Sequence, residues 1–549
     1  MKKLFLKYSL WIIAITGLTV TSCEDFLTNP PVDRLTSDGF YQTPAQSEQG
    51  IVGVYADLRD IARDEFMYLS EFRSDNIWGD PQPDGFREYS ELSAFRAGSD
   101  LSYINNVWNL WYKLIYNANV ALVKVQECDF GTREDFKKQL LGEAYFLRGW
   151  AYFELARLYG NIPVIDAPMA PNDVMNVPQS TAADVYSRMV LPDLKNAQAM
   201  LPLAEEMKNA SNAGISGSGR ADKIAASAML GRVYMTMAGF PLNDASAKAN
   251  AKSELKAVLD FSSANSNKYW APDSLEWQKQ WMSENNNKYS IFAIQYRSGG
   301  TGNSAIFETG AKLPPSYTGF QVYNELGVFV EKSIVYEFEK VYSGNKTDAR
   351  GLGHSILLGY DAEPNWTARV PQLEALEPGS TIMVARNAMF TKYLNTKPKR
   401  AALGYTADIE TAMKDYRDWP VNHPIIRLED VMLMYAEILA DEGNTSGAME
   451  IVNKIRTRAG CDALTITDAG AALQAVKDER RIELFGEGVR WFDLVRWNEW
   501  KQAITYEFYQ YANPNGASVE NIKDGRYLYP VPMNQINVKP GWYKQNEGY

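Results

Sequence analysis

The chain has 549 residues, of which 46% are hydrophobic and 22% are charged, a composition typical of globular proteins with more than one domain. Acidic residues outnumber basic residues by 67 to 56, and a negative surface repels phosphate backbones, which argues against nucleic acid as a partner. With only 2 histidines, the chain lacks the side chains of most His-based metal sites and of Ser-His-Asp or Cys-His catalytic sites.

The N-terminal segment has the layout of a secretory signal. Three lysines precede an apolar stretch, Leu10 to Val20, that is too short for a comfortable membrane span. Ser22 then precedes Cys23, as in the bacterial lipobox, in which the cysteine becomes the lipidated first residue of the mature protein. We therefore expect residues 1–22 to be removed and acyl chains on Cys23 to anchor the protein to a membrane. An ordinary signal peptide with a chance cysteine is the alternative.

A polar tether leads to a helical region that begins at Thr43. The segment Thr43-Pro44-Ala45-Gln46 is a capping box with proline at the first helical position. Apolar residues at helical spacing predict the helices that follow, at about Ser102–Cys128, Thr132–Tyr159, Thr181–Met200, Arg220–Ala238 and Ala245–Phe261.

The middle of the chain, about 262–419, is rich in Gly, Asn, Pro and aromatic residues and predicts an irregular region with a few strands, such as Tyr289–Tyr296. His423, between Asn422 and Pro424, is interpreted as a loop residue. The tail from Tyr527 is proline-bearing and is predicted to be irregular. Helices are predicted again at Leu428–Asp441, Ser446–Thr457, Ala471–Phe485 and around Val489–Glu499.

The first two of these later helices resemble one tetratricopeptide unit. Ala436 and Leu439 precede a turn at Gly443, and Ala448 and Ile451 follow it. The sequence therefore predicts a mainly α fold of tetratricopeptide-like helix pairs, an α-α superhelix with an irregular, loop-rich insert containing a few short strands. Antiparallel helix hairpins without true repeats are the alternative.

The chain carries 14 Trp, 32 Tyr and 22 Phe, and spare aromatic residues in an exported protein favour sugar binding, because pyranose faces stack on flat side chains. The run from Glu71 to Tyr89 is too irregular to bury all its aromatic residues in a helix stripe. Packing of these side chains beneath the loop is the alternative. The candidate stacking residues are Trp78, Phe86, Tyr89, Tyr296, Tyr317, Phe320 and Trp366, and the candidate partners for sugar hydroxyls are Arg73, Asp75 and Asn76.

Glu483 and Glu487 lie four residues apart, near Asp493, and paired carboxylates can cleave glycosides. Arginines interleave with them at positions 480, 481, 490 and 496. Guanidinium groups hold carboxylates ionised, which is wrong for a general acid, so we interpret the cluster as a structural ion-pair network and expect no catalysis.

The remaining cysteines, Cys128 and Cys461, lie in separate helical regions, so two buried thiols are expected rather than a disulfide. No EF-hand-like spacing is present, and the sequence predicts no metal or other cofactor.

Several stretches, in the right order along nearly the whole chain, resemble the SusD/RagB family of Bacteroidetes outer-membrane lipoproteins. The strongest is the run from Glu479 to Trp497, which reads ERRIELFGEGVRWFDLVRW. The others are Ser22-Cys23-Glu24-Asp25-Phe26-Leu27, Val107-Trp108-Asn109-Leu110-Trp111-Tyr112, Gly142 to Gly149, Gly219 to Tyr234 and Leu528-Tyr529-Pro530-Val531-Pro532.

The resemblance implies a non-enzymatic surface lipoprotein of the outer membrane that binds a glycan and acts as a lid on a SusC-like, TonB-dependent transporter. It implies that the Trp78–Tyr89 loop and the irregular region both contribute ligand contacts. A binding protein for another nutrient such as peptides, a surface glycosidase and a scaffold that binds only protein are the alternatives. We expect a signal peptide at 1–22, a tether at 23–42, an N-terminal helical region at 43–261, an irregular ligand-binding region at 262–419, and a C-terminal helical region and tail at 420–549.

Overall fold

The computed structural model describes residues 37–79, 87–215, 219–282, 288–303, 328–357, 389–395, 397–406, 408–415, 417–510 and 518–549. Within these ranges the protein is mainly helical, as the sequence predicts. The helices of six or more residues are α1 Pro44–Ala56, α2 Arg87–Ser93, α3 Ser102–Glu127, α4 Glu134–Tyr159, α5 Leu191–Met200, α6 Lys223–Ala238, α7 Ala247–Ala264, α8 Ser274–Lys279, α9 Lys332–Glu339, α10 Lys397–Ala402, α11 Leu428–Asp441, α12 Thr445–Arg458, α13 Ala469–Glu483, α14 Arg490–Arg496, α15 Trp500–Gln510 and α16 Met533–Val538.

Short strands and single helical turns connect these helices. The strands of the described ranges are β1 Ile77–Gly79, β2 Ile162–Pro163, β3 Gln179–Ser180, β4 Ser290–Ile294, β5 Val328–Val330, β6 Val341–Tyr342, β7 Lys346–Thr347, β8 Ile356–Leu357, β9 Met389–Phe390 and β10 His423–Arg427. They pair two by two and antiparallel, as β1 with β5, β2 with β3, β4 with β10, β6 with β7 and β8 with β9. The short turns are α-helical at Ser37–Phe40, Leu58–Ile61, Pro171–Val174 and Ala182–Val185, π-helical at Ala62–Ser70 and Tyr186–Val190, and 3-10 at Glu71–Arg73, Glu410–Ala412, Val519–Asn521 and Asp524–Tyr527.

The predicted capping box starts α1. The Thr43 side chain accepts a hydrogen bond from the Gln46 backbone N–H at 3.2 Å, and the Gln46 side chain accepts one from the Gln42 backbone N–H at 3.0 Å. Pro44, the first helical residue, has no N–H to leave unsatisfied. The local sequence thus determines where the helical region begins.

Helices that follow one another in sequence pack against one another in space. The helix α3 packs along α4, α4 along α5, and α6 along α7, while α11 contacts both α12 and α13. The α7–α11 contact joins the helices on the two sides of the irregular region. Nearly all of α4 is buried, and the helix ends at Gly160, whose φ of 69° suits a glycine.

The predicted helix at 181–200 is interrupted. Its first turn, Ala182–Val185, passes into the π turn Tyr186–Val190 before α5 begins at Leu191. Pro192 has no N–H to continue the α-helical hydrogen-bond ladder, which gives the break a local cause.

The strand predicted at 289–296 is present as β4, and its partner β10 corrects the interpretation of His423 as a loop residue. His423 begins β10 and is buried, with its ring stacked 5.1 Å from that of Phe66 and 5.4 Å from that of Tyr393. Burial lowers its pKa to about 4, so the ring is a neutral part of the core at pH 7.

The tail differs from its predicted irregular course, because it contains the short helix α16 after Pro532. Proline ends helices but also precedes their first turn readily, and here it does the latter. The tail is anchored to the core by Tyr529, whose hydroxyl donates to the Leu69 carbonyl at 2.8 Å.

Both predicted thiols are confirmed as free and buried. Burial raises the pKa of the Cys461 thiol to about 12, which keeps it protonated and unreactive. Among the helices of the described ranges, none combines the length and the apolar character that a bilayer span requires.

Candidate ligand-binding site

Two distant segments, both predicted to contact a ligand, meet as a strand pair. The strand β1 belongs to the run after the first helices, and β5 belongs to the irregular region. In their antiparallel register Ile77 lies opposite Val330, and Trp78 lies opposite Phe329. The Glu331 backbone N–H extends the pairing by donating to the Asn76 carbonyl at 2.8 Å. We refer to this pair as the β1–β5 junction.

A tight turn sets the start of β1. The chain arrives through the π turn Ala62–Ser70 and the 3-10 turn Glu71–Arg73. The Ser74 hydroxyl donates to the Glu71 carbonyl at 2.8 Å and accepts from the Asn76 backbone N–H at 3.2 Å. Serine commonly closes turns in this way, because its hydroxyl both donates and accepts.

Glu71 is buried beneath the junction. Its carboxylate accepts hydrogen bonds from the Asn76 side chain at 3.2 Å and from the Gly488 backbone N–H at 2.8 Å. Burial raises the pKa of this carboxyl to about 7, against the smaller opposing effect of those hydrogen bonds. The protonation of Glu71 is therefore linked to the packing of β1 against the turn that follows α13.

Arg73 faces the interior. Its guanidinium donates to the Arg526 carbonyl at 2.5 Å and to the Tyr549 hydroxyl at 3.1 Å, and it lies 4.0 Å from the centre of the Phe95 ring. Its exposed fraction is 1%. These contacts attach the turn before β1 to the C-terminal tail.

Asp75 and Asn76 are held by two arginines from the far end of the chain. Arg490 binds the Asp75 carboxylate with two hydrogen bonds of 2.7 and 2.8 Å. Arg481 donates to the Asn76 side-chain oxygen at 3.0 Å, to the Asp75 carbonyl and to the Ser333 hydroxyl at 2.9 Å. Burial opposes ionisation of Asp75, but the two guanidinium groups outweigh it and lower its pKa.

The structure therefore places Arg73 and Asn76 in the interior and Asp75 in a partly buried position, and protein atoms bond the Asp75 carboxylate, the Asn76 amide and one nitrogen of Arg73. This corrects the expectation that these side chains bond sugar hydroxyls, because a group already bonded within the protein has to give up that partner to bind a ligand. Tyr296 is also buried, and its hydroxyl donates to the Arg59 carbonyl at 2.7 Å. The hydrogen bonds of these four side chains join segments that are distant in the sequence.

The other candidates fall at or beyond the edges of the described residues. Trp78 lies in β1 and Tyr89 in α2. Phe86, Tyr317, Phe320, Trp366 and the lipidation candidate Cys23 lie outside the described residues. The described strands and helices thus give the frame of the candidate site, and ligand contact by these aromatic residues remains a prediction.

Arg481 is the site residue that sequence reasoning missed. It reaches both the two residues just before β1 and the first turn of α9, which follows β5, so one side chain ties together both sides of the junction. The sequence interpretation paired Arg481 with the nearby acids of its own segment. A partner some 400 residues away leaves no trace in local spacing.

Glu483 and Glu487 form a buried ion-pair network, which confirms that interpretation, although their guanidinium partners are Arg350, Arg427 and Arg458 and none of the arginines expected. Glu483 accepts hydrogen bonds from Arg350 at 2.8 Å, Arg427 at 3.0 Å and Arg458 at 2.7 Å. Burial opposes its ionisation, but these arginines outweigh it and keep its pKa well below the usual range. Its fully buried position and low pKa both disfavour the role of a general acid.

Glu487 has a similar environment. It is bound by Arg427 through two hydrogen bonds of 2.8 Å, and Lys392 donates to it at 2.6 Å. Lys392 comes from the irregular region, so the network also holds that region to the C-terminal helices. Within the part of the chain that the structure describes, no three His, Cys, Asp or Glu side chains are arranged to hold a metal ion.

Comparison with known proteins places these features in a wider group. The sequence model described as the SusD family matches residues 288–549, and one described as starch-binding and associating with the outer membrane matches residues 26–235. The SusD-like protein P38 of Formosa agariphila is 26% identical over 517 residues, which cover 89% of this chain and 91% of that protein.

Solved structures share the fold. A SusD homolog from Bacteroides thetaiotaomicron superposes with a TM-score of 0.73 at 20% identity, covering 94% of this chain and 99% of that one. The surface glycan-binding protein A of the same species, in complex with laminarihexaose, superposes with a TM-score of 0.68 at 18% identity, covering 92% of this chain and 100% of that one.

Proposed function

The chain belongs to the SusD/RagB family, and from this premise we propose that it is a cell-surface protein that binds an oligosaccharide or polysaccharide at the β1–β5 junction. The observation that carries the proposal is the pairing of β1 with β5. It joins the two segments in which the sequence concentrates aromatic candidates for ligand contact. The laminarihexaose complex of the structural neighbour supports the choice of a glycan as ligand.

In this proposal the aromatic side chains near the junction stack on sugar faces, and Trp78 and Tyr89 are the first candidates. Stacking alone orients a sugar poorly, so hydrogen bonds from the flanking loops add specificity. In this arrangement Arg481, Arg490 and Glu71 fix the position of β1 beneath the stacking side chains. Because the binding backbone is fixed in advance, less conformational entropy is lost when a ligand binds.

The proposed ligand is then passed to a SusC-like, TonB-dependent transporter on which the protein acts as a lid. Acyl chains on Cys23 keep it at the outer membrane. Confinement near the transporter raises the local concentration of captured glycan, so modest affinity suffices for delivery. The protein contributes binding and no bond cleavage in this scheme.

A screen of a soluble form that starts after Cys23 against a glycan array tests the proposal. The informative variant is Trp78→Ala/Tyr89→Ala, and the matched control is Tyr116→Ala/Trp542→Ala, which removes two exposed aromatic side chains elsewhere. We expect binding to one glycan class that the first variant loses and the control keeps.

Other outcomes separate the alternatives. Binding that survives in the Trp78→Ala/Tyr89→Ala variant contradicts the assignment of the early loop and moves the site to the aromatic residues of the irregular region. A folded protein that binds no glycan contradicts the proposed ligand and favours a peptide or another nutrient. Retention of the transporter in a pull-down, without any ligand, favours a protein-only scaffold.

A further inference from the structure

A concave surface lies between α1 and the loop that follows β4, and its lining includes no residue of β1 or β5. Its volume is about 600 Å³, which falls in the range of roughly 300–1,000 Å³ of small-ligand sites. We call it the α1 groove. Its polar lining includes three arginines, one carboxylate and the hydroxyl of a tyrosine, which are Arg59, Arg220, Arg297, Glu48 and Tyr55.

The carboxylate of the α1 groove is paired within the protein. Glu48 accepts a hydrogen bond from Arg220 at 2.6 Å and another from the Ala210 backbone N–H at 2.7 Å. Arg220 also binds Glu143 through two hydrogen bonds of 2.6 and 2.7 Å. In this partly buried floor one guanidinium group pairs with two carboxylates, so the floor supplies no excess positive charge, and any attraction for an anion has to come from the rim.

The rim of the groove keeps positive charge. Arg297 is exposed and has no ion pair among the described residues. Arg59 lies 3.3 Å from the carboxylate of its neighbour Asp60, and both side chains are about half exposed, so water and salt weaken that pair. Two guanidinium groups are thus accessible at one groove of a protein whose overall charge is −11.

The walls of the groove are rigid. The Asp418 carboxylate accepts four backbone hydrogen bonds, from Gly299 and Gly300 at 2.7 Å, from Lys414 at 2.9 Å and from Gly302 at 2.7 Å. This cradle fixes the loop that carries Arg297.

The opposite wall is fixed as well. The Tyr55 hydroxyl of α1 accepts from the Ala221 backbone N–H at 2.8 Å. At Gly219, φ is 78°, and a Cβ atom there would lie 2.7 Å from the Gln295 side chain, so the two sides of the groove approach closely at its floor. A preformed groove of this kind holds its ligand with little loss of its own conformational freedom.

We propose that the α1 groove binds the carboxylate or sulfate group of an acidic sugar unit. A guanidinium group only donates hydrogen bonds, and its planar fork matches the oxygens of a carboxylate or a sulfate ester. This inference rests on the proposed function for the sugar part of the ligand, and it adds that the glycan is acidic.

The test is titration calorimetry of the soluble form with three probes, namely an oligogalacturonate, a sulfated galactan oligosaccharide and an uncharged β-glucan oligosaccharide of equal length. The groove variant is Arg59→Gln/Arg297→Gln. The control is Arg188→Gln/Lys346→Gln, which removes two exposed positive charges elsewhere. Thermal unfolding of each variant shows that the exposed substitutions leave the fold intact.

We expect one acidic probe to bind, with an affinity that falls at least tenfold in the groove variant, stays within twofold in the control and decreases with added salt. The Arg59→Lys/Arg297→Lys variant should recover part of the loss. Whether the galacturonate or the sulfated probe binds distinguishes the two anionic groups.

Equal loss in the groove variant and the control overturns the inference. Binding of the uncharged probe alone also overturns the inference. The proposed function is still supported in that case if Trp78→Ala/Tyr89→Ala abolishes binding of the uncharged probe. Binding of an acidic probe that the groove variant loses and the junction variant keeps supports the groove and contradicts the junction as the principal site. No binding of any probe overturns the inference.

Discussion

The two ends of the helical scaffold are held by different forces. Between α3 and α4 most contacts are apolar and aromatic, as in the edge-to-face pair of Trp111 and Trp150, whose ring centres are 5.2 Å apart, although Arg148 also donates to Asn119 at 2.7 Å. Beneath α13 the contacts are charged, with three arginines on the single carboxylate of Glu483. Apolar burial is non-directional, whereas hydrogen-bonded ion pairs fix orientation.

The two kinds of contact, apolar and charged, follow from the kind of structure that each region packs. Helices present a continuous apolar stripe and pack by burying it. The irregular region offers few regular faces, yet Arg350 and Lys392 from that region insert into the charged network, and Arg481 fixes β1 against α9. Directional bonds therefore position the segments that frame the proposed ligand site, and apolar packing holds the scaffold behind them.

The largest expected effect comes from breaking the charged network. Glu483→Gln leaves Arg350, Arg427 and Arg458 buried without their shared carboxylate, and we expect a loss of roughly 3–5 kcal/mol in the free energy of unfolding. Urea titration at pH 7 measures it, with the exposed Glu450→Gln as the control. A loss below about 1 kcal/mol would show that the network contributes little.

The same carboxylate sets a pH dependence. Because its pKa is lowered in the folded state, its stabilisation is present above the unfolded pKa of about 4.3 and is lost as the pH falls further towards the folded value. Stability of the wild type should therefore fall faster on acidification below that pH than stability of Glu483→Gln.

A substitution in the apolar packing of α4 tests the contrast with the charged network beneath α13. Leu147 is fully buried in α4, and Leu147→Ala should cost about 2–5 kcal/mol through lost burial and a residual cavity. Unlike the Glu483→Gln loss, which should shrink below about pH 4.3, this cost should be the same at about pH 3 and pH 7. The exposed Val123→Ala on α3 is the control. A cost that changes with pH would contradict the division into apolar and charged ends.

Glu71 should show the opposite pH behaviour to Glu483. Burial raises its pKa to about 7, so its contribution to stability is complete below about pH 4.3 and is lost as the pH rises to about 7. Relative to Glu71→Gln, the free energy of unfolding of the wild type should fall by about 3 kcal/mol between about pH 4.3 and pH 7, since one pKa unit corresponds to about 1.4 kcal/mol. Parallel pH profiles of the two proteins would contradict the assignment.

The smallest predicted change in stability accompanies a change in binding. Arg481→Gln removes hydrogen bonds to Asp75, Asn76 and Ser333 at a partly exposed position, and should cost about 1–2 kcal/mol. Because β1 is then less firmly fixed, affinity for the glycan found in the array should fall about fivefold. Arg188→Gln is the control. Unchanged affinity in Arg481→Gln would show that the hydrogen bonds of Arg481 do not contribute to ligand binding at the β1–β5 junction.

Local features of the fold are predictable from sequence because their causes are local. The Thr43 cap, the glycine end of α4 and the periodic helices all depend on residues within a few positions of one another. The π turn before α5 is not visible in the helical spacing of apolar residues, although Pro192 gives it a local cause. The helix α16 departs from the irregular course predicted for the tail, because the presence of a proline does not show whether it ends a helix or precedes one.

The candidate site is predictable only in part, for a physical reason. Composition indicated the two segments that meet at the junction, but not that they pair as strands. Arg73, Asp75 and Asn76 looked like ligand donors because their partners, such as Arg490 and Arg526, lie more than 400 residues away. Polar residues in a loop are equally suited to bonding a sugar or a distant side chain, and only the fold decides between them.

The most direct test of the central claim is a crystal structure of the soluble form, starting after Cys23, with the glycan that the array identifies. We expect a sugar chain lying across the β1–β5 junction, stacked on Trp78 or Tyr89, with Arg481 and Arg490 still bound to Asp75 beneath it. A glycan bound only between the helix pairs, with the junction empty, would contradict the assignment of the β1–β5 junction as the ligand site.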